Sequence, residues 1–171
     1  YLINIAPGRY VSIRRYVNIR IAAWPQRGLA AYRAAFEKAA ETAMARGRGR
    51  DTVEGLMSIA TRYYATQAGA RALDEASQLA IENGDFQSAS QWYADLLSTH
   101  PDREKHRLEW QTKRALCSAW QGDLSKLRTL SRQPDDAGAG SPVTWSGRSR
   151  TLGRFAKDML ARIEASGPPP P

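Results

Sequence analysis

The chain has 171 residues, of which 42% are hydrophobic and 25% charged, with a formal net charge of +8 and a single cysteine. That balance lies near globular averages and argues against disorder throughout, while one cysteine excludes an internal disulfide framework and any cysteine-based metal cluster. No apolar run approaches the roughly 20 residues needed to span a bilayer, and the basic excess is mostly arginine scattered through every segment rather than a Lys/Arg block interleaved with aromatics, so it reads as a solvated surface.

Tyr1 to Ile13, YLINIAPGRYVSI, differs from everything after it. Leu2, Ile3 and Ile5 are strand formers, Pro7-Gly8 is a turn dipeptide, and Tyr10-Val11 returns as a second short strand. An isolated two-stranded hairpin is marginal in water, so this piece must lie on the helical body, on a further domain or on another copy of the chain. Leu2, Ile3, Ile5 and Tyr10 are accordingly candidate intersubunit contacts. Ser12 then caps a helix whose apolar stripe is Ile13, Tyr16, Val17, Ile19, Arg20 and Ala23, ending before Trp24-Pro25. A second helix is predicted over Gly28 to Arg46, with Leu29, Tyr32, Phe36, Ala39, Ala40 and Ala43 along it. The run Arg46-Gly47-Arg48-Gly49-Arg50 reads as a solvated connector. Asp51 and Glu54 resemble a capping box for a third helix, running through Leu56, Ile59, Ala60, Tyr63 and Tyr64.

From Ala70 to Arg103 the spacing predicts two helices around a central break. Leu73, Ala76, Ser77 and Ala80 share one face of the first; Gly84 takes the left-handed conformation that ends it, and Asp85 caps the next. The second carries Phe86, Ala89, Tyr93 and Leu96, and Pro101 closes the unit. Large residues facing small ones let the pair pack closely. Asp102 to Arg132 repeats the scheme, with Leu108, Ala115, Leu116 and Ala119, then Gly122-Asp123 echoing Gly84-Asp85, then Leu124, Leu127 and Leu130. Residues 133–148 have the composition of a loop, in which Trp145 is expected to pin the segment to the body. A terminal helix over residues 149–166 carries Leu152, Phe155, Met159, Leu160 and Ile163 in a capping role. Gly167 and Pro168 to Pro171 form an extended tail.

Leu73, Ala76, Ser77, Ala80, Gly84, Phe86, Ala89, Tyr93 and Pro101 together resemble the tetratricopeptide repeat in order and spacing. The pattern departs at Leu73, where the repeat has Trp, and at Leu96, where it has a small residue. Ala43, Gly55 and Ile59 each stand 34 residues before Ser77, Ala89 and Tyr93, the offset of a degenerate repeat preceding the clear one. The resemblance implies an all-α fold, a TPR-like superhelix of helical hairpins over residues 14–132, behind the strand segment of residues 1–13. It also implies a protein-binding groove lined by Arg71, Asp74, Gln78, Ile81 and Glu82, then by Glu109, Thr112, Leu116 and Trp120. A second resemblance runs from about Pro7 to Asp102. Gly8 to Tyr16, Arg20-Ile21-Ala22-Ala23-Trp24-Pro25, Ala31-Tyr32-Arg33 and Leu79 to Phe86 are similar to the N-terminal helical region of bacterial envelope proteins that also carry a β-propeller like that of pyrroloquinoline-quinone enzymes. It implies an exported protein whose Pro-rich end leads to such a propeller. These residues hold no propeller, so no quinone site is carried over.

Catalysis needs convergent groups with tuned pKa values. Only His100 and His106 are candidate neutral-pH bases; they flank the Pro101 turn without a Ser or Cys partner by spacing, and His100 reads as a cation at a helix C-terminus. Cys117 sits among Ala115, Leu116, Ala119 and Trp120 as a small buried apolar residue. No catalytic, cofactor-binding or metal-ligating residues are expected. The function expected is a non-enzymatic protein–protein interaction scaffold that self-assembles into an oligomer or filament of the cell envelope or exterior, its partner being further copies of itself or a downstream propeller domain. The alternatives are a basic module binding nucleic acid or an anionic surface, predicted by the charge and marked by steep salt dependence, and the helical adaptor domain of a longer protein carrying such a propeller.

Overall fold

The computed structural model describes residues 2–6, 9–47, 52–132, 143–145 and 148–166. Within them the chain is mostly helical. Strands β1 (Leu2–Ala6) and β2 (Arg9–Ser12) precede α1 (Ile13–Ala22), α2 (Gln26–Gly47), α3 (Val53–Arg62), α4 (Gln67–Glu82), α5 (Phe86–Thr99), α6 (Arg103–Trp120) and α7 (Ser125–Ser131); β3 (Val143–Trp145), β4 (Arg148–Arg150) and α8 (Leu152–Ser166) follow. Each strand pair is an antiparallel ribbon: Leu2 faces Ser12 and Asn4 faces Tyr10 in the first, Val143 faces Arg150 in the second. No helix among the described residues is long and apolar enough to cross a membrane.

The centre of the body is α4, and local chemistry sets both its ends. The Thr66 hydroxyl accepts from the Gly69 N–H at 2.9 Å. Glu37 of α2 reaches across to take the N–H groups of Gln67 and Ala68 at 3.0 and 2.8 Å, placing a carboxylate at the positive end of the helix. Gly69 is required there, because a Cβ would stand 2.0 Å from the Tyr63 carbonyl oxygen. At the other end Gly84 lies at φ +80°, its N–H reaching Ile81 O at 3.0 Å and that of Asp85 reaching Ala80 O at 2.8 Å. This paired closure satisfies two carbonyls that the helix leaves open. The same device ends α6: Gly122 lies at φ +84°, with Gly122 N to Ala119 O at 3.0 Å and Asp123 N to Ser118 O at 2.9 Å. Asp85 then caps α5 by accepting from Ser88 N at 3.0 Å.

Packing follows chain order, α3 on α4, α4 on α5, α5 on α6, and α7 on α8, with α2 laid along α3 and α4. One apolar cluster joins Leu56 and Ala60 of α3, Leu73, Ala76 and Ala80 of α4, and Ala89, Tyr93 and Leu96 of α5 to Trp110 and Cys117 of α6. A second joins Ala115, Leu116 and Ala119 of α6 to Leu127 and Leu130 of α7 and Phe155, Ala156, Met159 and Ile163 of α8. Helix α6 therefore serves both, a different stripe for each. Leu96, at the place where the repeat pattern has a small residue, is fully buried, and filling that space contributes about 2–3 kcal/mol.

Several boundaries and roles differ from the sequence reading. Helix α2 starts at Gln26, directly after Pro25, because proline suits the first turn. Thr52, accepting from Gly55 N at 3.1 Å, is the cap of α3; Asp51 lies outside the described residues. Helix α3 ends at Arg62, so Tyr63 and Tyr64 form the turn into α4. The segment expected as a loop contains β3, and β4 takes the first residues expected of the terminal helix, which begins at Leu152 instead of Ser149. The Pro7-Gly8 turn, Arg48 to Arg50, the Trp145 side chain and the tail from Gly167 lie outside what is described.

His100 does not have the role expected of it. It is fully buried, and burial lowers its pKa to about 4, against the pull of Asp102, so it is neutral and no cation for the helix end. Its Nδ1 accepts from the Asp102 N–H at 3.0 Å, which leaves the proton on Nε2 to donate to Tyr64 O at 2.9 Å. With the Tyr64 ring 5.3 Å and the Trp110 ring 5.8 Å away, it pins the α3–α4 turn to the α5–α6 turn.

Candidate interaction site

The positions implied as a groove fall on α4 and α6, and the structure divides them. Thr112 and Leu116 are buried at 2% and 5% exposure: Thr112 turns its hydroxyl onto Leu108 O, and Leu116 belongs to the second apolar cluster. Both are removed from the candidate groove by their burial, Leu116 because α7 and α8 pack on it. Ile81 and Trp120 are half-buried; Ile81 packs on the first cluster and Trp120 lies 5.2 Å from the Phe86 ring. Arg71, Asp74, Gln78, Glu82 and Glu109 reach the surface.

Most of that polar set is engaged within the chain. Arg71 pairs with Glu41 of α2. Lys113 of α6 places its Nζ 2.8 Å from both carboxylate oxygens of Asp74 and 2.8 Å from Glu109, while Gln78 donates to Asp74 at 2.9 Å. Burial raises the Glu109 carboxyl, but Lys113 and His106 outweigh it and hold it below the usual range. Beneath, burial and the Asp74 charge keep the Tyr93 phenol protonated. This network ties α2, α4 and α6 side by side. Each such surface pair contributes at most about 1 kcal/mol, so the set aligns the helices more than it stabilises them.

The N-terminal unit behaves differently. Helix α1 starts at Ser12, which accepts from Arg15 N at 3.2 Å, and is held to the body by Asn18 donating to Thr61 O at 2.9 Å and by Arg15 pairing with Asp95 of α5. Only Ala22 of this helix is buried. Ile13 and Val17, expected to face the core, are 47% and 45% exposed, which corrects the stripe assigned to them. Among the candidate contact residues, Leu2 and Tyr10 are 71% and 59% exposed, Ile3 is half-buried, and the Ile5 side chain lies outside the described residues. Trp24 and Phe36 continue the exposed set and meet through Tyr32, whose ring is 6.4 Å from Trp24 and 4.8 Å from Phe36.

Between α1 and the body lies a cavity of about 270 Å³. Ala60, Leu73 and Tyr64 line its buried floor, and Arg14, Arg15 and Asp95 stand at its edge. The Tyr64 hydroxyl is bonded to Thr99 at 2.8 Å and donates to Asp95 O at 3.1 Å; burial pushes that phenol up to about 12. The sequence reading did not anticipate this site. Its one local signal is Arg14-Arg15 at the start of a helix whose first turn carries no acid. Comparison with protein-family models, with curated proteins and with solved structures finds no match.

Proposed function

We propose that the chain is a non-enzymatic protein-interaction scaffold built of tetratricopeptide-like helix pairs, and that it associates with further copies of itself through its N-terminal unit. One observation carries this reading. The large apolar side chains left exposed among the described residues are Leu2, Tyr10, Ile13, Val17, Trp24 and Phe36, all ahead of residue 37. Ile13 and Val17 stand one turn apart on α1, and Trp24 and Phe36 are joined through Tyr32; contiguous apolar surface of this kind marks an association site more often than apolar residues scattered singly. The groove supports the reading less, since its charges are largely satisfied by one another. Helix pairs stacked in chain order present different surfaces at their two ends, and head-to-tail contact between such ends gives rings or filaments. The resemblance to envelope proteins adds an exported address and a neighbouring propeller as the second partner to seek.

The test is the mass of the purified chain by light scattering across a range of salt. Oligomers that persist at high salt, and that dissociate on Val17→Asp or on deletion of residues 1–9, are the expected result. A monomer at every salt concentration overturns self-association. Binding of nucleic acid that vanishes as salt rises would favour the electrostatic alternative.

A further inference from the structure

We propose that the cavity beneath α1 binds a small amphipathic carboxylate, an apolar body ending in a single carboxylate group. Its volume of about 270 Å³ is well above the ~150 Å³ that accommodates benzene in a dry apolar cavity, so a body the size of indole or an eight-carbon chain fits. The walls suit such a body: Ala60, Leu73 and Tyr64 are buried at the floor, with Ile19, Met57 and Trp92 half-buried around them.

The mouth selects the charge. Arg14, Arg15 and Asp95 meet there, two positive charges against one negative. Asp95 is engaged by Arg15 and by Gln91 at 3.3 Å, so it is not free to hold a cation. Arg14 is exposed and has no carboxylate partner among the described residues. Ser12, Arg14 and Arg15 are also the beginning of α1, whose own first turn carries no acidic residue; the Asp95 carboxylate beside it is taken up by Arg15. With Arg15 paired to Asp95, Arg14 is the guanidinium left at the positive end of the helix, and a carboxylate seated beside it pairs with that charge while its apolar body fills the cavity. A neutral apolar ligand gains only the second part. The same chemistry arises from a free apolar acid or from the C-terminus of a polypeptide ending in an apolar residue.

Calorimetric titration of the full chain with octanoate and octanamide, and with a six-residue peptide ending in leucine as the free acid or the amide, separates these sources. The expected result is that at least one acid binds ten-fold or more tightly than its amide, and that Arg14→Ala reduces this preference at least five-fold with an unchanged circular dichroism spectrum. Octanoate binding more tightly than the peptide acid assigns the site to free acids; the reverse assigns it to polypeptide ends. Met57→Trp, which narrows the cavity from its half-buried side, is expected to weaken the preferred acid at least ten-fold. Equal binding of acid and amide, no binding of either acid at millimolar concentration, or an acid preference untouched by Arg14→Ala overturns the proposal.

Discussion

The pair formed by α4 and α5 and the unit formed by β1, β2 and α1 are both amphipathic in sequence, yet only the first buries its apolar stripe. Ala76, Ser77, Ala89, Tyr93 and Leu96 are fully buried, whereas Ile13 and Val17 remain about half exposed. The difference lies in neighbours. Helix α4 is enclosed by α2, α3 and α5 and is bridged to α6 by Lys113, while α1 rests chiefly on α3 and on the ribbon before it. An apolar stripe is thus a statement about a residue's capacity for burial, and the number of elements around it decides whether the capacity is used.

That contrast predicts unequal responses to substitution. The largest effect is expected for Leu96→Ala, which leaves a cavity in a fully enclosed site and should cost about 3–4 kcal/mol in chemical denaturation. A loss below about 1 kcal/mol would mean that the body relaxes as freely as the N-terminal unit. Next comes pH, acting through His100. Its pKa is lowered to about 4 in the folded chain from an ordinary value near 6.5, so the unfolded state binds the proton first. Stability is therefore fully present above about pH 6.5, falls as pH drops towards 4, and is flat below, a loss on the order of 3 kcal/mol from this group. Denaturation midpoints at pH 7 and pH 4.5 measure it, and His100→Asn should flatten the slope.

A smaller effect is expected at the break between α4 and α5. Gly84 lies at φ +80° with open space around its Cα, so Gly84→Ala meets no clash and pays only the left-handed backbone, about 1 kcal/mol. The smallest effect on stability belongs to Val17→Asp, below about 1 kcal/mol, because the side chain is already about half exposed. Its effect on association should be large, and that inversion between folding and assembly is the sharpest check on the comparison. If Val17→Asp unfolds the chain, α1 is part of the core and the N-terminal surface is not an interface.

Much of the centre was legible from local pattern. The Asn83-Gly84-Asp85 break, the caps at Ser12 and Asp85, the echo at Gly122 and the burial of Cys117 follow from short-range chemistry, since a positive φ or a capping oxygen is decided within a few residues. The site was less legible. Thr112 and Leu116 have the spacing of groove positions, but both are buried, Leu116 under α7 and α8, which no spacing within α6 reveals. Thr66, Gly69 and Glu37 looked ordinary because their partners stand 30 or more residues away or in a turn whose path was unknown. Arg14 and Arg15 were read as solvated charge, and only the placement of α1 against α3 and α5 sets them at the mouth of a cavity.

By itself, then, the amino-acid sequence determined an all-α chain, where α4 stops and α5 starts, and the pairing of β1 with β2, because backbone sterics, capping and helical periodicity act over one or two turns. Tertiary structure alone decided which stripes became core, that His100 is neutral, and that Lys113 joins Asp74 to Glu109. Burial and pKa depend on what packs from elsewhere in the chain, and the low dielectric that neutralises an imidazole exists only once those distant elements have closed around it.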